Sequence, residues 1–225
     1  MPELFVFTGL ISHNHTFVIV SQIVIVVFII LVLAKLATKS MQLVPRGTQN
    51  VMEAFMGGVL SVAGGVVGDD IARKYFPLAA TIALFIFVSN MIGIIPGFEA
   101  PSSNINFTLP LALMVFFFYN FKGIQENGFL KYMKHFMGPN LIMAPLMFPI
   151  EIISNCSRVI SLSFRLFGNV KGDDMFLAVM LFLAPWLVPV LPFFILLVFG
   201  ILQAFIFMIL TYVYIAGAIQ ISEDH

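Results

Sequence analysis

Ser161-Leu162-Ser163-Phe164-Arg165-Leu166-Phe167-Gly168-Asn169 sets a guanidinium inside an apolar run. Arginine stays charged at any physiological pH. At the centre of a bilayer helix it costs about 2.5–3.5 kcal/mol on insertion scales. A membrane helix carries such a charge when it faces water, a counter-charge or a moving ion. Positions three, four and seven apart share a helix face. Glu151, Ser154, Arg158, Ser161, Arg165 and Asn169 are spaced in that way and form one polar stripe. Asp173 and Asp174 follow two turns beyond Arg165. The predicted helix covers about 139–183 and measures on the order of 60 Å, twice the hydrocarbon thickness. Such a helix is either strongly tilted or broken in the middle, and Pro145 and Pro149 can bend its start.

Composition sets the surroundings of that helix. Of 225 residues, 60% are hydrophobic and 10% charged, and mean hydropathy is +1.05. Soluble domains carry about 25% charged residues, so the sequence describes an all-α polytopic membrane protein in contact with lipid. A formal net charge of zero argues against a nucleic-acid partner. Cys156 is the single cysteine, which excludes an intramolecular disulfide and a cysteine metal cluster. The first sixteen residues hold Glu3 and no Lys or Arg, unlike a basic leader, so the first apolar run is expected to be retained.

That run, 17–36, spans one bilayer thickness and ends in Lys35, Lys39 and Arg46. The positive-inside rule therefore predicts an outer N-terminus and a cytoplasmic basic end. Segment 45–68 mixes Gln49, Asn50 and Glu53 with paired glycines at 57–58 and 64–65. Its length permits a crossing, but its polarity favours an interfacial amphipathic helix, and the glycine pairs are expected to allow close helix packing. A hairpin follows at 76–121, with apolar runs Phe76 to Ile95 and Leu109 to Phe121 around Pro96-Gly97 and Glu99. Lys122, Lys131, Lys134 and His135 read as a basic cytoplasmic loop. After the helix at 139–183 come Pro185, Pro189 and Pro192, then a last apolar helix to 221 with Gln203 near its centre. About five crossings result, with the C-terminus in the cytoplasm. The absence of an internal repeat speaks against an inverted-repeat transporter.

Each polar residue also admits a plainer role. Arg165 can act as structural glue, yet the nearest intramembrane carboxylates, Glu151 and the Asp pair, lie two or more turns away on its own helix. Its counter-charge is therefore expected from another chain. Glu151 is either an interfacial carboxylate or part of an aqueous path, and Arg158 reads as structural or water-lining. Asp173 and Asp174 can be a solvated helix face, and Gln203 an interhelical hydrogen-bonding residue. His13, His15, His135 and His225 lie outside the spans and read as exposed. No phosphate-binding glycine loop, nucleophile elbow or H-E-x-x-H motif occurs.

Residues 161–169, followed by Leu-Gln-Ala-Phe-Ile-Phe at 202–207, resemble subunit a of the rotary F-type ATP synthase, bacterial type. Phe-Val-Ser-Asn-Met-Ile-Gly-Ile-Ile-Pro at 87–96 and Asn-Ile-Asn-Phe-Thr at 104–108 resemble two further segments of that family. The resemblance implies a non-catalytic stator in the bacterial inner membrane, with a periplasmic N-terminus and a cytoplasmic C-terminus. Its last two helices would be long and strongly tilted against a ring of c subunits, with b-type peripheral stalk subunits as further partners. It implies no cofactor and a transported proton, or Na⁺ if the ring selects it. The family's essential arginine falls on Arg165, its following polar residue on Asn169, and its last-helix amide on Gln203. A glutamate and a serine of the family match Glu151 and Ser161. An outer half-channel would pass Asp173, Asp174 and Asn169, and an inner one Glu151 and Ser154, with Arg165 between them. Many members have Glu where this chain has Asp174 and His where it has Leu196. The competing reading is a self-contained transporter or channel whose Arg165 binds an anionic substrate. A third is a membrane scaffold.

Overall fold

The computed structural model describes residues 15–39, 41–95, 98–137, 144–183 and 190–220, and among them there is no strand. Seven α-helices follow in order: α1 His15–Thr38, α2 Thr48–Val67, α3 Asp69–Ile94, α4 Ile105–Asn127, α5 Phe129–Met137, α6 Ala144–Leu183 and α7 Val190–Ile219. A single 3-10 turn, Pro101–Ser103, precedes α4. The expected start of the fourth span at 139–143, the turn at Pro96-Gly97, Pro185, Pro189, and the tail from 221 lie outside the described residues.

Two helix junctions are set by glycine. Gly68 takes φ +85°, which L side chains rarely adopt, and it alone separates α2 from α3. Its N–H donates to the Gly64 carbonyl and its own carbonyl accepts from the Ala72 N–H, both at 3.0 Å, so one residue closes one helix and opens the next. Asp69 and Asp70 then occupy the first turn of α3, where a negative charge suits the helix dipole.

Three expectations change. The apolar run at 109–121 is the middle of a longer helix, α4, because Asn104 caps its start by accepting the Asn106 N–H at 2.9 Å. The helix continues through Lys122 and Glu126 to Gly128. The basic loop after it contains α5. Among the described residues no helix packs closely on the glycine pairs: nothing lies within 4 Å of a Cβ built at Gly57, Gly58 or Gly65, and one at Gly64 meets only the Asp69 side chain.

Of the two alternatives for the long polar segment, α6 takes the unbroken one. It has 40 residues and therefore a length of about 60 Å. Pro145 falls in its first turn, and Pro149 is accommodated inside the helix. Among the described residues, five helices are long and apolar enough to cross a membrane: Thr16–Thr38, Thr48–Val67, Phe76–Ile94, Ile105–Asn127 and Phe193–Ile219. The number agrees with the sequence reading, but the membership does not. The α2 segment qualifies by length and apolarity, whereas α6, with Glu151, Arg158, Arg165, Lys171, Asp173 and Asp174, does not.

Helix α3 packs most extensively on α7, and α4 on α6. One core joins Ala79, Ala83 and Ile86 of α3, Ala112, Val115 and Tyr119 of α4, Leu162 and Leu166 of α6, and Phe207, Met208 and Tyr212 of α7. Alanines on α3 and α4 let the backbones approach closely. Helix α1 leans on this body through Val26, against Val88 and Ile92. Ion pairs mark the two ends of the bundle. Lys74–Glu126 at 2.6 Å ties the start of α3 to the end of α4, and Lys171–Glu99 at 3.7 Å ties α6 to the segment before α4.

Candidate functional site

The inward face of α6 is Asn155, Val159, Leu162, Ser163, Leu166 and Val170, all buried. The polar stripe runs along the edge of that face. Glu151, Ser154, Arg158 and Arg165 are half-buried, and Ser161 and Asn169 are exposed. Beyond the stripe, Ile153, Ile160 and Phe164 are open, at 68%, 54% and 55% exposure. The seam thus separates a packed face from an uncovered apolar one.

The two arginines on this seam differ. The Arg158 guanidinium lies over the Tyr214 ring, 5.6 Å from its centroid, a cation–π geometry. Arg165 makes no hydrogen bond or ion pair among the described residues. At 1.5 Å per residue, Glu151 is about 21 Å from it along the helix and Asp174 about 13 Å in the opposite direction.

One turn beyond Arg165, Asn169 Nδ2 donates to Gln203 Oε1 at 2.7 Å, joining α6 to α7. Gln203 is 3% exposed and its Nε2 has no partner among the described residues. Asn169, Gln203, Asp173 and Asp174 line one narrow cleft, closed by Asn90, Leu196 and Gly200. Leu196 is a buried wall of that cleft.

The cleft is built from parts far apart in sequence. Asn90 Nδ2 donates to the Gly200 carbonyl at 3.2 Å, and its Oδ1 accepts the Ser102 hydroxyl at 2.7 Å. Glu99 accepts from Ser103 Oγ at 3.1 Å while facing Lys171. The helices approach closely at Gly200. A Cβ there would lie 3.0 Å from Met91 Cε and 3.3 Å from Asn90 Cβ. The sequence reading gives no role to Asn90, Ser102 or Glu99. The signal available for Asn90 was an uncompensated amide inside an apolar span, which calls for a partner.

At the other end, Glu151 and Ser154 stand beside a polar network rather than in it. Tyr119 donates to Asn155 Oδ1, and Asn155 Nδ2 donates to Asn120 Oδ1 at 3.1 Å. Tyr132 of α5 reaches the same oxygen at 2.8 Å. Ser161 is outside this network too, and its neighbour Ser163 pairs with Thr108 at 3.1 Å. The structure therefore gathers Asn169, Gln203, Asp173 and Asp174 at one cleft. It gives Arg165 no hydrogen-bond or ion-pair partner among the described residues and places Glu151 and Ser154 toward the opposite end of α6.

The sequence profile described as ATP synthase A chain matches residues 18–216. Among curated proteins, the chain is similar to ATP synthase subunit a of Campylobacter fetus subsp. fetus, 62% identical over 227 residues that cover 100% of both chains. The namesake from Helicobacter hepaticus is 63% identical over 223 residues, 99% of each chain. That of Nitratiruptor is 59% identical over 225 residues, 100% of this chain and 99% of its own.

Proposed function

The chain belongs to the ATP synthase subunit a family, and on that premise we propose that it is the fixed channel subunit against which a ring of c subunits turns. As a membrane subunit of the Fo sector it takes part in proton transport, and the ATP chemistry resides on other subunits of the complex. Further partners are b-type peripheral stalk subunits and lipid. The N-terminus faces the periplasm and the C-terminus the cytoplasm, in keeping with the basic ends at Lys35, Lys39, Lys122 and Lys131. Helix α2 lies along the interface. Its support is one packed edge, Val59, Ala63 and Val67, and an open glycine-bearing face.

Arg165 carries the reading: a charge with no hydrogen-bond or ion-pair partner among the described residues, on the seam of one unbroken helix with polar groups toward each end. A carboxylate on each c subunit supplies the missing counter-charge. That carboxylate crosses lipid only when neutral, since a bare charge there is costly. On the inner side, past Glu151 and Ser154, it releases its proton to water and becomes an anion. Arg165 favours the anion by attraction as it passes. On the outer side, past Asp173, Asp174, Asn169 and Gln203, the anion takes up a proton and re-enters lipid. One proton has then crossed per carboxylate. A positive Arg165 repels any cation that would pass directly between the two routes, so the ring is not bypassed. Each proton moved across 100 mV supplies about 2.3 kcal/mol. The transported ion is H⁺, with Na⁺ served by the same stator where the ring site selects it.

Arg165→Ala in the assembled complex should bring gradient-driven ATP synthesis to background, while the c ring still copurifies. Synthesis at the parental rate would overturn the mechanism. Asp174→Asn tests the outer route, with proton flux through the complex expected to fall at least about tenfold, the effect of 1.4 kcal/mol on the rate-limiting step. An unchanged flux removes Asp174 from the path. Coupled flux from this chain alone in liposomes would favour the self-contained transporter instead.

A further inference from the structure

Between α1 and α2 the chain presents Met41, Leu43 and Val44 at 78%, 104% and 69% exposure. The segment that carries them is held in place by hydrogen bonds. Gln49, itself buried, clasps residue 42 from both sides: the Gln42 N–H donates to Gln49 Oε1 at 3.1 Å, and Gln49 Nε2 donates to the Gln42 carbonyl at 3.0 Å. Glu53 accepts from the same Nε2 at 2.8 Å, which holds the amide in place. With residue 42 pinned by its backbone, its apolar neighbours are turned away from the protein.

Charge surrounds this apolar knuckle. Lys35, Lys39 and Arg46 are exposed, and none of them is in an ion pair among the described residues. Glu53, on the next turn of α2, is engaged by Gln49. The depth follows from α1. Its candidate span Thr16–Thr38 has 23 residues, about 35 Å of helix against about 30 Å of hydrocarbon. The knuckle therefore begins where acyl chains meet headgroups, directly below the exposed lipid face at Phe28, Leu31 and Leu36.

We propose that Met41–Arg46 is an interfacial anchor that sets Met41, Leu43 and Val44 among acyl chains and gathers acidic phospholipid headgroups on Lys35, Lys39 and Arg46. Three cations around one apolar tip match an anionic lipid surface better than a neutral one. The site depends on the membrane level of α1 and not on which ions the complex carries, so it stands apart from the role of Arg165.

The test uses the assembled complex with a fluorescent amino acid at position 43, in nanodiscs of mixed phosphatidylcholine and phosphatidylglycerol. Bromine on the acyl chains of one lipid or the other, at equal mole fraction, reports which neighbours the probe. Brominated phosphatidylglycerol should quench at least about fivefold better, the effect of one engaged basic side chain. The triple variant K35Q/K39Q/R46Q should equalise the two lipids, and Arg46→Gln alone should narrow the difference. Equal quenching in the parent overturns the headgroup recognition. Absence of quenching by either lipid overturns the anchor, and protection from an aqueous quencher as well would assign the knuckle to another subunit.

Discussion

Arg158 and Arg165 stand seven residues apart on the same edge of α6, and what faces them separates their roles. Tyr214 receives the first, while the second has no partner among the described residues. Gln203 shows the same division between holding and waiting. Its oxygen is bonded to Asn169 and its nitrogen has no acceptor among the described residues. Gln203→Leu removes a buried unpaired donor along with the bond from Asn169 and keeps the volume approximately; the two effects oppose each other, so thermal stability of the purified complex should stay near the parent's. Gradient-driven synthesis should nevertheless fall. A loss of stability in parallel with activity would make Gln203 a packing residue only. The arginine and both amides were legible in the sequence because each is costly in an apolar run. The vacancy on Gln203 Nε2 was not, since a sequence does not state which of two amide atoms finds a partner.

The elements show where that legibility ends. Helix α3 could be read from its apolar run, but α4 was read short. Its ends are decided by one capping side chain at Asn104 and one positive φ at Gly128, not by hydropathy. The cleft was out of reach for a different reason: Asn90 meets Gly200 across 110 positions of chain. That contact makes a pair of glycines on neighbouring helices into a test. Gly200→Val drives a branched side chain into Asn90 and Met91, and overpacking of this kind costs about 1–3 kcal/mol. The complex should lose thermal stability. Gly168 on α6 has nothing within 4 Å of where its Cβ would be. Gly168→Val should leave the fold of this chain intact, read as unchanged melting of the isolated subunit, yet weaken copurification of the ring that the open face is proposed to meet. A ring bound as tightly as in the parent would place the ring elsewhere.

At the scale of the whole molecule, α6 runs past both ends of the proposed path, with Glu151 and Asp174 about 35 Å apart along one helix. A single alanine inserted between Leu166 and Phe167 adds only about 1.5 Å but turns everything after it by about 100°. Asn169 should then leave Gln203, and synthesis should be lost although every side chain is still present. Activity comparable to the parent would mean that the register of the seam is immaterial. Because no break interrupts the helix, it also transmits torsion. A twist imposed on its Glu151 half, where Tyr119 grips Asn155, should reach the cleft at the far half as a rotation of the same hand. The two proposed access routes would then share one shaft, and a change of angle at one should be felt at the other.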